Sequence, residues 1–125
     1  MRTKELKIAG SKIMPSITFQ NGTLSIVGRC VPQNSNDFFE PVMKALNDYS
    51  HSPAECTIII IRLEYLNSDS NRAIMNLLIA AEKLHQKGKK VEIHWYYANN
   101  DESMIDQGNI FKSLISAPFD LESVN

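Results

Sequence analysis

The chain is poor in cysteine: Cys30 and Cys56 are its only two, and they form no C-x-x-C pair. That usage reads as reduced, structural thiols in a cytoplasmic protein. Catalytic signatures are missing as well: there is no Walker A loop, no GxGxxG, no GxSxG elbow and no HExxH. His51, His85 and His94 are scattered without metal-ligand spacing, so neither a metal nor another cofactor is expected. Charge of one sign is not in excess either. A net charge of −1 gives no field to recruit nucleic acid or an anionic membrane. No apolar run approaches the ~18 residues a membrane span needs, and the opening MRTKELKIAG has no signal-peptide core. The expected address is the cytosol.

What remains is an ordinary globular composition, 43% apolar and 22% charged over 125 residues, which suits one domain with a genuine core. Leu6 to Ile8 fit a short first strand. Ile17 and Phe19 alternate with polar residues up to Asn21-Gly22, a strong hairpin signal, and Leu24, Ile26 and Val27 form the return strand, closed by Gly28. A loop over residues 32–36 offers several helix caps. Phe38, Phe39, Val42, Met43, Leu46 and Tyr49 then repeat at helical spacing, with Pro41 either marking the helix start near Glu40 or kinking it.

Residues 56–63 (CTIIIIRL) carry four isoleucines in succession, a run suited to a central strand buried on both faces by helices. A second helix is expected from about Ser70 to Lys87. Its core stripe is Ile74, Leu77, Leu78, Ala81 and Leu84, and Gly88 is its stop. Met75 and Ile79 point away from that stripe, flanked by Arg72 and Lys83. Either a neighbouring helix covers them or they form an apolar patch for a partner. Val91, Ile93, Trp95 and Tyr97 share one face of a further strand, with Glu92, His94 and Tyr96 opposite. Trp95, Tyr96 and Tyr97 therefore cannot form one stacking platform. A last short helix holds Ile110, Phe111, Leu114 and Ile115, and Phe119 and Leu121 fit an edge strand. The order predicts an α/β fold, with a mixed sheet packed against helices.

Between the isoleucine strand and the second helix lie five polar residues, Asn67-Ser68-Asp69-Ser70-Asn71. Two readings stand. Such residues cap helices by accepting from unpaired backbone N–H groups, yet one cap suffices and five polar residues are present. A phosphate at the same place would meet free N–H groups and the positive end of the helix dipole. It would add about −1.5 to −2 charges in front of any docked partner. Glu64 before the stretch and Asp69 within it could be imagined as a carboxylate pair, but no pocket signal supports a catalytic role.

The segment LEYLNSDSNR (residues 63–72), with HWYYANNDESM (94–104), resembles the SiaC family of bacterial regulatory phosphoproteins. GRCVPQNS (28–35), FFEPVMKAL (38–46) and APFDL (117–121) extend the resemblance over nearly the whole chain. The family is akin to STAS-type anti-sigma-factor antagonists, so the resemblance implies a single STAS-like domain. It also implies a non-enzymatic switch: a hydroxyl after the motif's Asn is phosphorylated by a dedicated serine/threonine kinase and restored by a PP2C-like phosphatase. The unmodified form binds and stimulates a diguanylate cyclase, raising cyclic di-GMP and favouring biofilm growth. By position the phosphoacceptor is Ser68, preceded by Asn67 and followed by Asp69, Ser70 and Asn71. Serine here replaces a frequent threonine, and Asp69 carries a charge where small hydroxyl residues are more typical. Tyr65, Leu66, Arg72, Met75, Ile79 and Tyr96 are the candidate partner-binding residues. The alternative is an anti-sigma-factor antagonist in a partner-switching system, using the same Ser68.

Overall fold

The Asn21-Gly22 turn behaves as its residue types require. Asn21 has φ 52° and Gly22 φ 80°, the left-handed pair a two-residue hairpin loop needs. Its arms are β2 (Ser16–Gln20) and β3 (Thr23–Cys30), antiparallel and closing on Gln20 opposite Thr23. β1 (Leu6–Ile8) adds antiparallel to β2. This computed structural model describes residues 5–31 and 34–124, and the 32–33 part of the expected loop lies outside them, as do residues 1–4.

Three strand–helix–strand units follow. α1 (Ser35–Tyr49) leads to β4 (Cys56–Leu66), α2 (Ser68–Gln86) to β5 (Lys90–Ala98), and α3 (Glu102–Leu114) to β6 (Phe119–Val124). The sheet order is β1-β2-β3-β4-β5-β6, with the last three pairings parallel. Every crossover steps the same way across the sheet. Right-handed crossovers taken in one direction place all three helices on one face.

Burial confirms that placement. Ile17, Phe19, Leu24, Ile26, Ile59, Ile61, Ile93 and Trp95 point under the helices and are buried. On α2 the buried stripe is the expected one, Ile74, Leu77, Leu78, Ala81 and Leu84, joined by Ala73. Each large apolar side chain there contributes about 1.5–3 kcal/mol relative to exposure. The helix stops as its sequence suggests: Gly88, at φ 90°, donates to the His85 carbonyl and Lys89 to that of Leu84. That pair of bonds is a Schellman closure.

The isoleucine strand departs from expectation. β4 is covered on one face only: Ile59, Ile61 and Leu63 are buried, Ile58 and Ile60 are half-buried, and Arg62 and Glu64 are exposed. With every helix on one side, the other face has nothing to cover it. Gly28 does not close β3 either; it sits inside the strand at φ 125°, where the register with β4 shifts. The glycine allows an irregularity that carries the strand on to Cys30. α1 begins five residues before the expected Glu40, capped by Asn34, whose Oδ1 accepts from Asp37 N–H at 3.2 Å. Pro41 lies within it at an exposed position. Likewise α2 starts at Ser68, two residues ahead of Ser70.

Candidate functional site

β4 leaves the sheet at Leu66, and the next residue turns the chain. Asn67 is extended (φ −79°, ψ 169°), and its N–H donates to the Cys30 carbonyl at 3.1 Å, holding it against the end of β3. Its side-chain Oδ1 accepts from Ser70 N–H at 2.9 Å, and its carbonyl accepts from Asn71 N–H at 2.9 Å. Asn67 is therefore the cap of α2.

That assignment separates the two serines. Ser70 is wholly buried, and its hydroxyl lies 2.8 Å from that of Ser35, also buried, at the start of α1. Beside them the Cys30 thiol is pushed up from its ordinary pKa by burial, against a hydrogen bond with Ser70 that pulls it down. A thiol held neutral is no nucleophile. Ser68, the first residue of α2, is exposed, as is Asp69, while Asn71 is half-buried. Among the described residues no group hydrogen-bonds the Ser68 hydroxyl. Of the two serines, only Ser68 presents its oxygen to an enzyme.

The Ser35–Ser70 contact brings the N-termini of α1 and α2 side by side. Between them is a cleft of about 120 Å³ lined by Asn34, Ser35, Asn36, Asp69 and Arg72. Two positive helix ends thus converge beside Ser68, and Arg72 stands one turn along on α2. A dianion on Ser68 would be accommodated electrostatically, with Asp69 as the opposing charge.

Along α2, Ser68, Arg72, Met75, Ile79 and Lys83 follow at spacings of four, three, four and four, which places them on one stripe. Met75 is half-buried against the core, and Ile79 is 42% exposed. The patch is thus covered in part and open in part. Ile79 lines a groove of about 400 Å³ between α1 and α2 with Met43, Leu46 and Ala80, and Lys83 and Lys87 are among its residues. Leu66 packs against the core. The remaining candidates lie elsewhere. Tyr65 stands on the uncovered sheet face, its ring 5.6 Å from the Arg29 guanidinium carbon. Tyr96 is on that face too, its phenol pushed up by burial and by Glu122 and Asp120. Apart from Leu66, the candidates therefore divide between two surfaces, Arg72, Met75 and Ile79 on α2 and Tyr65 and Tyr96 on the sheet. Ser35 carried no sequence signal beyond lying in a loop rich in capping residues.

An α/β domain that holds an accessible hydroxyl at the mouth of a helix, in line with an open groove of mixed polarity between two helices, belongs structurally with regulatory binding modules. The model of the SiaC family regulatory phosphoproteins matches residues 8–124, and the chain belongs to that family. A curated protein of Pseudomonas aeruginosa strain UCBPP-PA14, itself uncharacterised, is 30% identical over 121 residues, 95% of this chain and 96% of that protein. Among solved structures, SiaC of P. aeruginosa bound as activator to the diguanylate cyclase SiaD superposes with a TM-score of 0.90 at 29% identity. It covers 95% of this chain and 99% of that one. Apo-SiaC of the same organism gives 0.88 at 28% identity, covering 95% and 98%.

Proposed function

We propose that this chain is a non-enzymatic switch that, unmodified at Ser68, binds and activates a diguanylate cyclase, and that phosphorylation of Ser68 ends that state. The carrying observation is the α2 stripe: the one accessible serine of the capping stretch lies in line with Arg72, Met75 and Ile79. A phosphate there places about two negative charges at the end of the surface a partner must cover. The P. aeruginosa relative, a SiaC bound to a cyclase as its activator, supports the choice of effector. A dedicated serine/threonine kinase and a PP2C-like phosphatase complete the cycle, and the cycle belongs in the cytoplasm with those partners.

Cyclase turnover, measured with purified chain added to its cognate cyclase, tests this reading. The unmodified chain should stimulate, and Ile79→Glu should fold yet fail to do so. No stimulation by the unmodified chain would overturn the proposal.

A further inference from the structure

Arg72 is the first cation of α2, and the next, Lys83, lies about three turns further on. It is exposed, and among the described residues its guanidinium makes no ion pair, hydrogen bond or ring contact. Four residues along a helix place Arg72 about 6 Å beyond Ser68 and about 40° round the axis. Helical side chains lean toward the N-terminus, so the Arg72 side chain runs back along the face that carries Ser68. Its surroundings agree. With Asp69 it lines the cleft at Asn34, Ser35 and Asn36, beside the start of α1, where the Ser35 hydroxyl meets that of Ser70.

We propose that Arg72 is the internal clamp of the switch: when Ser68 carries a phosphate, the Arg72 guanidinium folds back onto it and leaves the docking stripe. The clamp rests on the reading of Ser68 as the phosphoacceptor. An anion four residues N-terminal to a cation is the favoured order on a helix. A guanidinium also meets a phosphate through two parallel N–H donors, a fit that suits arginine better than lysine. Asp69 does not outcompete the phosphate, because its carboxylate carries one charge against nearly two. In the unmodified chain Arg72 stands in line with Met75 and Ile79, on the surface proposed for the partner. Phosphorylation therefore acts twice. It sets an anion at the end of that surface and takes a cation out of it, so a partner carboxylate facing Arg72 loses its mate.

Full chain carrying phosphoserine at position 68, verified by intact mass, tests the clamp with neither kinase nor cyclase present. Phosphorus NMR follows the second ionisation of the phosphate, which for a solvated phosphoserine falls at about pH 6. A guanidinium in contact favours the dianion. Wild type should therefore titrate about 0.5 pH unit below Arg72→Gln, the size suited to one partly solvated opposite charge. Circular dichroism should be unchanged, and Arg72→Lys should recover part of the shift. Arg29→Gln removes a guanidinium held over the Tyr65 ring and should titrate with wild type. Equal midpoints for wild type and Arg72→Gln overturn the clamp, as does a lysine that recovers nothing or an equal displacement by Arg29→Gln. If phosphate weakens cyclase binding while the midpoints stay equal, the clamp falls and the proposed function stands. If the midpoints differ while cyclase binding ignores the phosphate, the reverse holds.

Discussion

The hydroxyls of Ser35 and Ser70 lie 2.8 Å apart in the interior and join the first turns of α1 and α2. The bond fixes how the helix end bearing Ser68 meets its neighbour. Removing one partner leaves the other buried and unpaired, which costs about 1–3 kcal/mol. Ser70→Ala should therefore lower stability by that order in chemical denaturation. The Ser35→Ala, Ser70→Ala double variant should lose less than the sum of the two singles, the mark of a direct pair.

Asn67 and Ser68 make opposite predictions for the same measurement. Asn67 caps α2 through its hydrogen bond to Ser70 N–H, so Asn67→Ala should cost about 0.5–2 kcal/mol. Ser68→Ala removes an exposed hydroxyl and should stay within about 0.5 kcal/mol of wild type. Urea midpoints for the two variants decide the assignment.

Gly108 sits inside α3, where glycine is unfavourable by about 0.8–1 kcal/mol against alanine. A Cβ there would lie 2.6 Å from the Trp95 ring, and that ring is fully buried with its Nε1–H donating to the Met104 carbonyl at 2.9 Å. Gly108→Ala should therefore destabilise by about 1–3 kcal/mol, despite its better helix propensity. A raised melting temperature would contradict this packing.

How far such features were legible depends on what each residue type leaves undecided. The hairpin was readable because Asn21-Gly22 names both a turn and its register. α2 was readable because its apolar spacing and Gly88 agree. Four successive isoleucines, by contrast, show no alternation, so the run could not reveal that Ile59 and Ile61 face the helices while Ile58 and Ile60 do not. Only the direction of the crossovers settles that. The five polar residues before α2 are all of capping types, and no local rule chooses among them. Burial of Ser70 by a partner 35 positions away made the choice. For Tyr96 a strand pattern shows which residues share its face, not which surface that face joins, so its separation from the α2 candidates is visible only in the fold.

Glu82 gives a pH dependence of known sign. Burial pushes its carboxyl up, but hydrogen bonds from Ser116 N–H and Oγ and from Ala117 N–H, with His85 nearby, outweigh that and hold it below the ordinary value. A depressed carboxyl stabilises the fold above the unfolded pKa of about 4.3, and that contribution is lost as pH falls through the lower folded value. Glu82→Gln should therefore cost about 1 kcal/mol or less at neutral pH, the site being partly solvated. The gap from wild type should close below about pH 4. A gap that widens on acidification would contradict the hydrogen-bond assignment.

The central claim concerns the state of one oxygen. Chain phosphorylated at Ser68, verified by intact mass and site mapping, should be titrated against the cognate cyclase beside the unmodified chain. The account predicts that the unmodified chain binds and the phosphorylated chain binds at least tenfold more weakly, with circular dichroism unchanged. Equal affinity of the two forms would contradict it.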